Sequence, residues 1–154
     1  MSVKKIISGG QTGVDRAALD AALELGVACG GWCPKGRLAE DGVIPDRYPL
    51  QELTSSHYPV RTEKNVLCSD ATLILNIGPL SGGTALTAQL ATKSGHPCKI
   101  VDLDQQSDTE SVLAWLRGHN ISVLNIAGPR ASKRADLYEI ARNYLDIVIP
   151  SAAK

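Results

Sequence analysis

Phenylalanine is absent from this sequence, and aromatic residues make up only 4% of its 154 positions. The core must therefore consist of leucine, isoleucine, valine and alanine, and aromatic platforms that stack single-stranded nucleic acid are not expected. An excess of one charge is also absent, since 16 basic residues balance 16 acidic ones. A net charge of zero argues against binding nucleic acid mainly through its phosphates. Any anion site must be local.

Long apolar runs are absent as well, since none approaches the ~20 residues of a membrane-spanning helix. The sequence therefore predicts a cytoplasmic protein with no membrane contact. Its cysteines (Cys29, Cys33, Cys68 and Cys98) are expected to be reduced thiols, because no signal peptide is recognisable. Cys29 and Cys33 lack zinc-knuckle spacing and have no histidine nearby, so no metal site is predicted. The ordinary composition and length predict one folded domain over 1–154.

Apolar segments alternate along the chain with segments of helical periodicity. Strands are predicted over 4–8, 27–31, 70–77, 97–103 and 121–127, and helices over 12–26, 59–68, 84–94, 107–118 and 132–145. Residues 32–56 are rich in turn-forming residues and are predicted to be a long loop. This alternation predicts an α/β fold, a Rossmann-like three-layer sandwich with a mostly parallel sheet. Ligands bind such folds beyond the carboxyl ends of the strands, so the turns after Ser8, Gly31, Ile77 and Ala127 are expected to line one crevice.

The first turn, SGGQTGVDR over 8–16, joins a predicted strand to a predicted helix. Glycines let the backbone approach a ligand, and the amino end of a helix favours an anion. The candidate phosphate-binding residues are Gly9, Gly10, Gln11, Thr12, Gly13, Asp15 and Arg16. A capped turn is the alternative, because Thr12 and Asp15 have capping-box spacing. Neither the dinucleotide fingerprint nor a Walker loop is present, since Ser8 replaces the first glycine and no Gly-Lys-Ser/Thr follows.

A second glycine turn, over 78–87, also joins a strand to a helix. Gly82 and Gly83 are expected to present backbone donors. Ser81, Thr84 and Thr87 would add hydroxyl groups, although Thr84 alone would also suit a helix cap. Two such turns in one short domain favour a ligand site more than either turn alone.

Several basic residues lie in segments that are expected to border the crevice. Lys35 and Arg37 are placed to close over a bound anion, with Trp32 packed against a flat ring, although a solvated loop is the alternative. Arg61 begins a predicted helix, where a cation opposes the helix dipole unless a negative group faces it. Arg130 follows the last predicted strand and is a further candidate. No catalytic residues are predicted.

Together these segments resemble the molybdenum carrier family, a circularly permuted SLOG group in the Rossmann-like superfamily of the LOG, lysine-decarboxylase-like and DprA proteins. The resemblance rests on SGGQTGVDR (8–16), GWCPKGR (31–37), RT (61–62), NV (65–66), SGGTALT (81–87) and AGPRAS (127–132). It implies binding of the molybdenum cofactor, a pterin with a phosphate, or of another small phosphorylated, nucleotide-like ligand. It also implies a homodimer or homotetramer, and no nucleic-acid partner is expected.

The related LOG phosphoribohydrolases cleave nucleoside monophosphates at the glycosidic bond, and a glutamate follows the threonine of their glycine turn by three residues. This sequence has Thr87 at that position, and it has no glycine between Gly83 and Thr84. The resemblance therefore favours a carrier or sensor over an enzyme. The alternative is a LOG-type hydrolase that uses Asp15 or Glu40, and a purely structural subunit is a third possibility.

Overall fold

The computed structural model describes residues 2–105 and 108–154 and centres on a five-stranded sheet. Its strands are β1 (Lys5–Ile7), β2 (Ala28–Gly30), β7 (Ala71–Asn76), β8 (Cys98–Asp102) and β9 (Val123–Ala127). All neighbouring pairs are parallel, in the order β2-β1-β9-β7-β8. The central strand β9 is thus the last strand in the sequence. β7 is buried at every position, which explains its nearly continuous apolar sequence.

The helices form two groups that cover the sheet. They are α1 (Val14–Leu25), α2 (Tyr58–Leu67), α3 (Gly82–Ser94), α4 (Thr109–His119) and α5 (Leu137–Ala152). α5 packs against α1 and α4, whereas α2 packs against α3. Val14, Leu73 and Leu145 are fully buried in the main core between helices and sheet. The predicted Rossmann-like three-layer sandwich with a parallel sheet is therefore confirmed.

The segment 32–56, predicted to be a loop, is more ordered than expected. β3 (Trp32–Cys33) pairs in parallel with β6 (Gln51–Glu52), and β4 (Leu38–Ala39) pairs antiparallel with β5 (Gly42–Val43). The Arg37 guanidinium donates hydrogen bonds to four carbonyl groups of this segment, those of Ile44, Pro45, Tyr48 and Leu50. This side chain and a small second core around Tyr48 both stabilise the segment, and neither has a periodic signature in the sequence.

The last helix also differs from its prediction over 132–145. Residues Ala131–Lys133 form a single 3-10 turn, and α5 begins only at Leu137. Ser132 does not cap the helix, because its hydroxyl donates to Glu40 at 2.7 Å. The helix continues through Pro150 to Ala152, although proline usually ends a helix. For the helix predicted over 107–118, Ser107 lies outside the described residues and α4 begins at Thr109.

Within the described ranges, no helix has both the length and the apolar character needed to cross a bilayer. Large apolar side chains are exposed at a few separate places, including Val60 and Leu67 on α2 and Ile147 on α5. The expected homodimer or homotetramer stays a prediction.

The Tyr144→Phe variant is expected to be more stable than the parent by about 1 kcal/mol. The Tyr144 hydroxyl is buried and has no hydrogen-bond partner among residues 2–105 and 108–154, and an unsatisfied buried group costs ~1–3 kcal/mol. Tyr48→Phe is the matched control, because the Tyr48 hydroxyl accepts a 2.7 Å hydrogen bond from Arg47. Urea unfolding should show a gain for the first variant and a loss for the second. Equal losses would show that Tyr144 has a partner.

Candidate functional site

A cavity of about 390 Å³ lies beyond the carboxyl ends of β1, β9 and β7. Its walls come from the turns that follow these strands, the first turns of α3 and one side of α2 between Tyr58 and Asn65. Three of the four turns predicted to share a crevice therefore meet there, whereas the turn after β2 leads away into β3. The predicted residues that line the cavity are Gly9, Gln11, Asp15, Arg61, Ser81, Gly82, Gly83, Thr84, Thr87 and Arg130.

The amino end of α3 forms one wall of the cavity. Ser81 precedes the helix with extended backbone, and its side chain makes no capping hydrogen bond. Thr84 is therefore not the cap, although the sequence allowed that alternative. The first amide groups of a helix have no partner within it, so those of Gly82 and Gly83 lack helical acceptors. A Cβ atom added to Gly83 would meet nothing within 4 Å. This wall is open and rich in hydrogen-bond donors.

The first glycine turn is closed by comparison, because its own side chains and the turn after β9 use its amide groups. The Gln11 amide donates to Asp15 Oδ2 at 3.2 Å, and the Thr12 amide donates to Gln11 Oε1 at 3.0 Å. The Val14 amide reaches the Pro129 carbonyl at 3.3 Å. The two glycine turns are similar in sequence, but they differ in which backbone amide groups remain available to a ligand.

Gly10 and Gly13 serve packing in this closed turn and do not line the cavity. Both have positive φ angles, of 82° and 81°. A Cβ atom at Gly10 would overlap Leu50, and one at Gly13 would lie 2.5 Å from the Pro129 carbonyl oxygen. The glycines at these two positions, which were predicted to bind phosphate, are needed here because two segments of the chain pack closely against them.

Thr12 joins the same packing through Glu40. The Thr12 hydroxyl donates to Glu40, which also accepts hydrogen bonds from the Ser132 amide and hydroxyl at 3.1 and 2.7 Å. Burial opposes the charge of Glu40, but these hydrogen bonds together outweigh it and lower the pKa of the carboxyl. Helix α1 is preceded by Gly13 with no side-chain cap, so the predicted capping box of Thr12 and Asp15 is not formed. Thr12 and Glu40 tie the turns after β1 and β9 together outside the cavity.

The basic residues Arg16, Lys35 and Arg37 also lie away from the cavity lining. Arg16 donates to the Gly10 carbonyl and to both carboxylate oxygens of Asp41. Arg37 is occupied by carbonyl groups of its own segment, and Lys35 is exposed. Trp32, which was expected against a ligand ring, instead has the Lys64 ammonium 4.8 Å from its ring centroid.

Arg61 lies over the first turn and faces the cavity. It belongs to the first turn of α2, and its Nη1 donates to the Gly9 carbonyl at 2.9 Å. A Cβ atom at Gly9 would lie 2.6 Å from that nitrogen, so the absent side chain of Gly9 makes room for the guanidinium. The negative group that an arginine needs at this helix position is Asp15, whose charge interacts with Arg61.

Asp15 is the acidic side chain of the cavity wall. It is only 7% exposed. Burial raises the pKa of its carboxyl to about 6, although Arg61 and the Gln11 amide both favour the charged form. A perturbed acid in a cavity is a frequent mark of a functional site. No group of three or more potential metal-ligating side chains occurs within 2–105 and 108–154.

Sequence reasoning missed several residues of the cavity, of which Lys133 is the most important. Its ammonium donates to the Ser81 hydroxyl at 2.8 Å and so lies beside the amino end of α3. The only available signal was its position three residues after Arg130. Some lining residues lie in segments that the sequence singled out, but they were not individual candidates: Thr62, Asn65, Leu86, Ala127, Gly128 and Pro129. The others that were missed are Tyr58, Pro59 and Asn125.

The parallel sheet with a crevice at its carboxyl edge defines a protein of the Rossmann-like class, in which ligands bind beyond the carboxyl ends of the strands. Residues 6–149 match the circularly permutated YpsA SLOG family, and the chain belongs to this family. The chain is similar to a "putative molybdenum carrier protein" from Syntrophus aciditrophicus SB whose crystal structure is known. The two sequences are 49% identical, and the structures superimpose with a TM-score of 0.91 over 96% of each chain. No match was found among curated proteins.

Replacing Asp15 by Asn is expected to stabilise the ligand-free protein at neutral pH. A carboxyl whose pKa rises from 3.8 to about 6 on folding penalises the folded state by about 3 kcal/mol once it is ionised. Between these pH values the unfolded chain loses its proton first, so parental stability falls as the pH rises. An Asn side chain does not titrate.

Urea unfolding at pH 4.5 and 7.5 tests this expectation. The gain in the free energy of unfolding should be large at pH 7.5 and mostly lost at pH 4.5. A gain of the same size at both pH values, or a loss at pH 7.5, would contradict the assigned environment of Asp15.

Proposed function

We propose that this protein binds a small phosphorylated molecule with a ring system and acts as its carrier or sensor. The observation that carries the proposal is the open amino end of α3 in a cavity that also presents Arg61, Arg130 and Lys133. Unpaired helix amides and the positive end of the helix dipole together favour phosphate.

We place the phosphate at Gly82 and Gly83, because the Gln11, Thr12 and Val14 amides of the first turn already have partners. Lys133 contacts Ser81 beside these glycines. Arg130 is about half exposed, and its Nε lies 3.9 Å from Glu40, so it is only loosely engaged. Both cations are therefore available to an anion at this end of the cavity.

The ring is placed in the remainder of the cavity, between the first turn and α2. A volume of about 390 Å³ lies within the range of small-ligand pockets, ~300–1,000 Å³. The molybdenum cofactor is one candidate, supported by the name of the crystallised relative and by the fit of its phosphate to the donor groups of α3. In this proposal the cofactor is cargo, and mononucleotides are the other candidate class.

Binding is tested by calorimetry and thermal shift with mononucleotides, pyrophosphate, molybdate and isolated molybdenum cofactor. At least one phosphorylated ring compound should bind more tightly than pyrophosphate, and molybdate alone should not bind. The proposal fails if no phosphorylated compound binds. Chromatography of the same incubations tests a second candidate, hydrolysis of a nucleotide, which the buried Asp15 alone favours. Released base that disappears with Asp15→Asn would support that alternative.

The Gly83→Val variant should fold but bind the phosphorylated ligand at least ten times more weakly. Its side chain would enter the open side of α3 where the phosphate is placed, and φ at Gly83 is not positive. Gly118→Val is the matched control, because Gly118 is an exposed helical glycine of α4 with equally open surroundings. Gly10 is unsuitable, since a side chain there overlaps Leu50.

Calorimetric titration of both valine variants, after each has shown a cooperative melt, measures the effect. Parental affinity in a folded Gly83→Val variant would remove the amino end of α3 from the phosphate site. A loss in Gly118→Val as large as in Gly83→Val would assign the effect to the fold and not to the site.

A further inference from the structure

We infer that Asp15 recognises the ring of the ligand, and that the preferred ring carries adjacent N–H donors, as in the 2-amino-4-oxopyrimidine edge of guanine and pterins. This inference rests on the proposed function and adds the class of ring to it. The lining of the cavity has one unexpected member, an acidic side chain. Among the described residues, Asp15 is the one acidic member of a lining that includes the cations Arg61, Arg130 and Lys133.

Asp15 and the proposed phosphate position are separated by the central strand. Asp15 follows β1, the donors of α3 follow β7, and β9 lies between these two strands. Neighbouring strands are ~4.8 Å apart, so two spacings place the ends of β1 and β7 about 10 Å from each other. Asp15 and the amino end of α3 follow these two strand ends and line the same cavity, so the cavity can accept a molecule with its phosphate at one end and its ring edge at the other.

The chemistry of a buried carboxylate selects the ring. An ionised carboxylate only accepts hydrogen bonds, and it has about four acceptor positions. The Gln11 amide uses one of them, at Oδ2 and a long 3.2 Å. The Ser8 hydroxyl also lies beside the carboxyl and favours its charged form, but it donates its proton to the Ile126 carbonyl at 2.6 Å. A guanine or pterin edge offers two neighbouring N–H donors, hypoxanthine offers one, and adenine offers one donor beside an acceptor. The first pair of rings therefore satisfies Asp15 best.

The surroundings of Asp15 agree with this assignment. Burial disfavours the charged form of the carboxyl, and N–H donors of a bound ring would replace the hydrogen bonds to water that burial removes. The Arg61 guanidinium is held by the Gly9 carbonyl at 2.9 Å. Arg61 thus supports the charge of Asp15 while leaving the cavity side of the carboxyl to the ligand.

The first test compares GMP, IMP, AMP and 6-hydroxymethylpterin phosphate by calorimetry at pH 7.5. GMP and the pterin should each bind about tenfold to a hundredfold more tightly than IMP and AMP, the effect of one hydrogen bond to a charged group. Whichever of the two binds more tightly identifies the source of the ring. Equal affinity for GMP, IMP and AMP would overturn the inference while leaving the proposed function intact. Absence of binding by every phosphorylated compound would refute both.

The second test uses Asp15→Asn, with Asp46→Asn as a control at an exposed aspartate outside the cavity. The preference for GMP over IMP should fall by at least tenfold in the first variant and stay parental in the second. Pyrophosphate should bind Asp15→Asn at least as well as the parent, because a negative charge has been removed. A preference that survives in folded Asp15→Asn would exclude Asp15 as the recognising group.

A third measurement needs no variant and keeps the inference testable if Asp15→Asn does not fold. The ratio of GMP to IMP affinity in the parent protein should rise from pH 5 to pH 8 as Asp15 ionises. Both nucleotides carry the same phosphate, so its titration cancels in the ratio. Arg61 of α2 and Arg16 of α1 face Asp15, with Arg130 and Lys133 also on the cavity side, and they act equally on both ligands. A ratio that does not change with pH would contradict the inference.

Discussion

The arrangement of this protein depends on two close backbone approaches of the segment that follows β9, one to the turn after β1 and one to β7 itself. A side chain at Gly13 would meet the Pro129 carbonyl, and one at Gly128 would overlap the Leu75 carbonyl. With neither side chain present, the Val14 amide reaches Pro129, and helix α1 begins directly against the end of β9. This contact places Asp15 at the cavity wall instead of in solvent. On the side away from the cavity, Glu40 links the turns after β1 and β9 by accepting hydrogen bonds from Thr12 and Ser132.

Most of the fold could be predicted from the sequence because its signals are local. The alternation of buried strands such as β7 with amphipathic helices defines the layers, and apolar periodicity alone locates them. Segment 32–56 was the exception, since its order comes from the contacts of Arg37 and Tyr48 with residues of no regular spacing. The start of α5 was also misplaced, because the hydroxyl of Ser132 bonds to a residue 92 positions away.

The candidate site was less predictable, because two glycine turns of similar sequence have different hydrogen-bond partners in the fold. Both glycine turns join a strand to a helix, yet only the turn before α3 keeps its first amides free of such partners. Two of the partners that close the first turn, Pro129 and Glu40, are remote in sequence and leave no local signal. Lys133 was missed for the same reason, since only the fold brings it to Ser81. Arg61 was recognisable because a cation at a helix start already implied an acidic neighbour.

The position of β9 has a consequence for how the protein is made. Until residues 123–127 leave the ribosome, β1 with β2 and β7 with β8 can form only separate two-stranded pairs, which are marginally stable. Each pair presents an unpaired inner edge that attracts other strands. The nascent chain thus completes its sheet only after β9 has been synthesised, and a β9 strand donated by a neighbouring chain would fill the same position between β1 and β7.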